Sequence, residues 1–186
     1  MRKMQLALAI VFGLPLTANA IVIDNSTHTG SINSGWDQSA QTLSFTSDST
    51  LNSFGWWLGQ ANSHTVSVVE WSSGPGTVLY SLTQNWNSGF NEIFPNVNLS
   101  AGTTYAVLFD YLGNTANTVY YNSTDGYADG EWWLFSGSWF AWSSGNDMRF
   151  IANVSEGSLP VPEPASLLLL GIGLAGLGAM RLRKAA

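Results

Sequence analysis

The chain has 186 residues, a formal net charge of −6, 13% aromatic and 10% charged side chains, and no cysteine. Arg2, Lys3, Arg181, Arg183 and Lys184 lie at the two ends, so residues 21–163 hold Arg149 as their one basic side chain against twelve acidic ones, a net charge of −11. That balance excludes nucleic acid as a main partner, because a phosphate backbone is neutralised by several Lys or Arg, and the aromatic content excludes a disordered polyelectrolyte.

Arg2 and Lys3 open the chain, Leu6 to Leu16 form a short apolar run, and Ala18-Asn19-Ala20 supply small residues at a cleavage site. This is the layout of a secretory signal peptide over residues 1–20, removed by signal peptidase after Ala20. An exported domain without cysteine is stabilised without disulfides.

From 21 to 154 no stretch sustains a 3.6-residue period. Short apolar or alternating runs recur instead between Ser, Thr, Asn and Gly clusters, which predicts strands over 42–46, 52–59, 65–71, 77–82, 92–99, 104–111, 118–122, 132–136 and 148–154. Within 65–71, Val66, Val68 and Glu70 oppose Thr65, Ser67, Val69 and Trp71. Gly74-Pro75-Gly76 and Ala101-Gly102 mark turns. About nine short strands in ~135 residues predict an all-β fold, a two-sheet antiparallel sandwich of jelly-roll type. The domain has no Lys, a residue natural sheets place on their edges, so its edges depend on acids, Pro95 or loops for protection.

All nine Trp fall in this domain. Neighbours in a strand point to opposite faces, so Trp56/Trp57 and Trp132/Trp133 cannot all enter one core. One Trp of each pair is expected to face outward, making Trp56, Trp57, Trp132, Trp133, Trp139 and Trp142 the candidate ligand-contacting set. Flat aromatic faces stack on sugar rings while acidic and amide groups bond the hydroxyls, so a polysaccharide partner is expected.

Asp125, Asp129 and Glu131 form the densest carboxylate cluster, in the Gly-rich run 125–131, and are the candidate calcium ligands. The EF-hand spacing fails, since Tyr127 and Ser136 occupy ligand positions. No other cofactor is implied. The catalytic inventory is thin: of the two histidines, His28 sits near the new N-terminus and His64 in a polar loop before a strand, no cysteine nucleophile exists, and no Gly-x-Ser-x-Gly elbow is present. Glu70, Glu92 and Glu131 leave room for a glycosidase pair, but the expectation is a domain that is not an enzyme.

Residues 155–161 lose the aromatics and read as a linker. Beyond them, Pro162-Glu163-Pro164 precedes sixteen uncharged residues, 165–180, and then Arg181, Arg183 and Lys184. As a helix that span would reach roughly 24 Å, a little short of the ~30 Å hydrocarbon core, with Arg181 able to snorkel. The basic cluster places the C-terminus on the cytoplasmic side and the domain outside.

These residues, Val161 to Lys184, resemble the PEP-CTERM sorting signal of Gram-negative bacteria. The resemblance implies recognition and tail removal by exosortase, a transient inner-membrane anchor, and delivery to the cell surface or an exopolysaccharide-rich biofilm matrix. The leading expectation is thus an exported, non-catalytic β-sandwich that contacts exopolysaccharide through exposed Trp. The alternatives are a self-associating structural matrix protein and a glycosidase.

Overall fold

The computed structural model describes residues 20–112, 117–124, 126–142 and 145–157. The expected signal peptide (but for Ala20), the sorting signal with its helix over 165–180, and Asp125 lie outside the described residues. Every element described is a strand: β1 (Ala20–Asn25), β2 (Gly30–Ser34), β3 (Gln38–Ser44), β4 (Ser49–Leu58), β5 (Asn62–Trp71), β6 (Pro75–Trp86) and β7 (Gly89–Ile93) in the first half. The second half adds β8 (Val97–Leu99), β9 (Thr104–Asp110), β10 (Asn117–Asn122), β11 (Trp132–Phe135), β12 (Trp139–Ala141), β13 (Asp147–Met148) and β14 (Phe150–Glu156).

They build two antiparallel sheets. The first runs β1-β14-β4-β10-β13, with β7 and β8 along the free side of β4 and β2 along β10; the second runs β12-β11-β3-β9-β5-β6. The all-β, two-sheet expectation is met, and the described residues fall in one compact unit.

Period-2 alternation fills the space between the sheets. Phe54, Trp56, Leu58, Phe150 and Ala152 point inward from the first sheet, and Leu43, Val66, Val68, Val107, Phe109, Trp132 and Leu134 from the second. Phe54 stacks on Phe150 with centroids 5.2 Å apart and meets Phe109 of the opposite sheet at 6.4 Å. A buried polar link also joins the layers. Gln41 of β3 donates Nε2 to Asp147 at 2.9 Å and accepts the Met148 N–H at 2.8 Å, while Asn25 donates to the Met148 carbonyl. With its partners satisfied, such a link fixes how the sheets face each other instead of leaving a costly buried charge.

Two expected strands break. The run 92–99 becomes β7 and β8, because Phe54 pairs with Ile93 and Leu51 with Val97, so three residues on one side oppose two on the other. Pro95 lacks the N–H for the ladder and Asn96 sits at φ 49°, so the extra residue bulges out. The run 148–154 divides at Arg149: Met148 pairs with β10, whereas Phe150 onward runs along β4 and β1. The strands β1, β2 and β12 were not expected; they are short and lean on longer neighbours for their pairing.

Candidate functional site

The alternation that sends Leu43, Val66 and Phe109 into the core sends their neighbours to the outer face of the second sheet. There Ala40 of β3, Ala106 of β9 and Val69 of β5 make a small-residue floor, and Trp71, Trp133, Trp139 and Leu108 pack over it. Trp71 ends β5 and is 8% exposed; its ring lies 5.7 Å from Trp133 and 4.9 Å from Trp139, edge-on to the latter at 80°. Trp133 and Trp139 come from the β11–β12 hairpin, where Trp133 pairs with Ala141 and Phe135 with Trp139. The turn after β5 lets Trp139 in: Ser73 adopts φ 61°, and a side chain at Gly74 would press on Trp139 at 3.3 Å.

Beside this cluster lies a cleft of about 560 Å³, within the ~300–1,000 Å³ usual for ligand sites. Trp71 and Trp133 form one wall, Thr42, Ser44 and Thr104 line it with hydroxyls, and the loop 128–131 carries Asp129 and Glu131 along the opposite rim. That loop is held at several points. Thr42 exchanges hydrogen bonds with Glu131, its amide donating to the Glu131 carbonyl at 2.9 Å and the Glu131 N–H donating to its Oγ1 at 2.7 Å. Gly130 passes directly against the Thr42 carbonyl, where no Cβ would fit. Tyr127 donates its phenol to the Ser44 carbonyl at 3.0 Å and its backbone N–H to Asp147 at 3.0 Å. Burial raises the Tyr127 pKa above the usual phenol value, so the phenol stays a donor.

The structure separates the candidate tryptophans by environment. Trp56 (0% exposed) and Trp132 (1%) are core residues and leave the ligand-contacting set: their rings fill the interior against Trp86, Phe109 and Tyr121. Their strand neighbours do face outward, as alternation requires. Trp57 lies on the outer face of the first sheet, 4.8 Å from Phe90, with the Arg149 guanidinium 3.9 Å over its ring. Trp142 is tied to the core edge, 6.1 Å from Trp132 and 6.2 Å from Trp36, so it too stands apart from the cleft. Of the set, Trp133 and Trp139 are brought together. Trp71 was missed, although its alternation opposite Val66 and Val68 already placed it on this face.

Asp129 and Glu131 are exposed, and among the described residues no three Asp, Glu or His side chains converge as metal ligands. His64 does not sit in a polar loop as its surroundings in the sequence imply; it is 0% exposed within β5, among Trp56, Trp86, Phe109 and Tyr111.

Comparison with known proteins now places the chain. Residues 160–184 match the family model of the PEP-CTERM protein-sorting motif. The chain carries a PEP-CTERM sorting motif. It is accordingly exported and sorted to the cell surface by the exosortase route, which the motif defines. No curated protein matches its sequence. Among solved structures, it is similar to the clostridial cysteine protease Cwp84 after propeptide cleavage, with TM-score 0.53 and 17% identity over 74% of this chain and 40% of that one. A structure of the cysteine protease and lectin-like domains of Cwp84, a surface layer associated protein of Clostridium difficile, aligns at TM-score 0.45 and 18% identity, covering 64% and 32%. The PEP-CTERM protein thus spans well under half the length of either chain. At these identities the likeness speaks for the sandwich fold alone.

Proposed function

We propose that this surface protein is a non-catalytic binding module that holds extracellular polysaccharide against the outer face of its second sheet. The observation that carries the reading is a cleft lined by the half-buried Trp133 and an edge of the buried Trp71, together with the hydroxyls of Thr42, Ser44 and Thr104 and two carboxylates. Apolar faces of sugar rings stack on indole, and Ser, Thr and carboxylate oxygens take up the hydroxyls around the ring edge. Trp139 braces Trp71 through its edge-on contact.

Trp133→Ala is the direct test, since that side chain lies outside the main core. We expect retention on matrix polysaccharide to fall about tenfold or more, the effect of losing roughly 1.4 kcal/mol of contact, with the far-UV β signature unchanged. Trp57→Ala on the opposite sheet leaves retention as it was. Equal retention by the Trp133 variant and the parent protein rules the site out.

A second reading, self-association, has its own observation. β6 runs twelve residues and, among the described residues, pairs only with β5, which makes its other side a sheet edge. It contains no charged residue, and its one Pro is the first residue. Long uncharged edges are the kind that pair with a second chain, and two copies related by a two-fold axis can do so antiparallel. Val78 is 58% exposed on this strand, so Val78→Lys adds an edge charge without touching the core. Sedimentation at rising concentration should show association in the parent protein and a monomer in the variant; association that survives the lysine contradicts pairing through β6.

A further inference from the structure

We infer that the cleft selects glycans without acidic groups and prefers amine-bearing sugar rings to purely hydroxylated ones. This rests on the polysaccharide reading and assigns the class of ligand.

The argument is one of charge placement. Asp129 and Glu131 are the charged residues of the cleft, both exposed on a loop that Thr42 and Tyr127 hold in place. Among the described residues, no Lys or Arg lines the cleft to offset a uronate, sulfate or phosphate. Arg149, the one basic residue of 21–163, belongs to the other sheet, where its guanidinium covers Trp57 and donates Nε to the Ser26 carbonyl at 2.6 Å. An acidic sugar entering the cleft would meet two carboxylates in a domain of net charge −11. A neutral sugar meets no such repulsion, and its hydroxyls donate to the carboxylate and hydroxyl oxygens of the lining. A protonated amine makes charge-assisted hydrogen bonds to the same carboxylates, about twice as strong as neutral ones.

The wall supplies the stacking surface: the half-buried Trp133, held against Trp71 at 5.7 Å, offers an indole face to the ring of either sugar class, so the two carboxylates set the preference between them.

The test uses the full chain in mild detergent, with EDTA throughout so that no divalent cation bridges acid to acid. Binding is measured by calorimetry to glucosamine oligomers, cello-oligosaccharides and oligogalacturonates, at a mildly acid pH where amines are protonated and carboxylates ionised. We expect glucosamine oligomers to bind at least about tenfold tighter than cello-oligosaccharides and oligogalacturonates not to bind. Asp129→Asn with Glu131→Gln should erase the tenfold difference, glucosamine oligomers then binding no tighter than cello-oligosaccharides. Glu92→Gln with Asp37→Asn, the same charge change at residues that do not line the cleft, should leave the difference in place. Galacturonate binding as tight as neutral binding, or a preference untouched by the Asp129 and Glu131 changes, overturns the selectivity while the binding module stands. Failure of all three glycans to bind takes down the polysaccharide reading itself, and the selectivity with it.

Discussion

Trp56→Ala is expected to remove about 3–5 kcal/mol of folding stability, whereas Trp57→Ala, one residue on, costs only about 1–2 kcal/mol. The two positions share a strand, a residue type and nearly a sequence context. They differ in which way the strand turns them. Trp56 is 0% exposed and touches Trp86 at 4.9 Å and Phe109 at 5.2 Å, both edge-on, so truncation opens a cavity between the two sheets. Neighbouring rings held by β-ladders on both sides cannot collapse into that space. Trp57 loses the Arg149 cation–π contact and the Phe90 contact, both on a half-open surface. For a domain whose total stability lies in the usual range of ~5–15 kcal/mol, the first change approaches unfolding and the second does not. Trp56→Phe should recover most of the loss, because it keeps a ring and discards an indole N–H that has no partner in the core. Urea unfolding of residues 21–157, followed by far-UV circular dichroism, gives all three values. Similar midpoints for the two alanine variants would contradict the inward and outward assignment. The same logic applies at Trp132, so removing it together with Trp133 would measure stability and not binding.

The paired tryptophans show how far sequence reasoning reaches. Period-2 alternation is a local rule, and it correctly demands that one member of each pair face away from the core. Which member goes inward depends on register against β14 and β3, and that register is set by contacts about 90 to 100 residues away. The cleft was out of reach for the same reason. Trp71, Thr42, Thr104, Glu131 and Trp133 come from four strands and a loop, and only sheet order makes them neighbours. Fold class was legible because turn residues and short alternating runs are themselves local. The bulge at Pro95 was half-legible: the proline announces a disturbed ladder, but not that both flanking pieces stay on β4. His64 misled because Asn62 and Ser63 look like a polar loop, whereas the strand turns the imidazole into an aromatic box.

That box makes the domain acid-sensitive. Asn62 Oδ1 lies 2.6 Å from His64 Nδ1, and Nε2 is buried without a partner. Burial among apolar rings disfavours the imidazolium and lowers the pKa from 6.5 to about 4, against a smaller upward pull from Asp110. The unfolded chain, with its ordinary histidine, takes up a proton below about 6.5. The folded domain refuses that proton until about pH 4, so the unfolded state binds more protons throughout the interval. Stability is therefore full above 6.5 and falls as the pH drops toward 4, by at most about 1.4 kcal/mol per pH unit and about 3 kcal/mol in all. Between pH 7 and 5 most carboxylates stay ionised in both states, which isolates the histidine term. We expect the urea midpoint to fall across that span in the parent protein and in His28→Asn, whose imidazole is exposed beside Tyr120. His64→Phe keeps an aromatic ring in the box and removes the titration, so its midpoint should be level over the same range. A parent midpoint that is flat from pH 7 to 5, or a slope that follows His28 instead of His64, would show that the buried imidazole does not control the acid response.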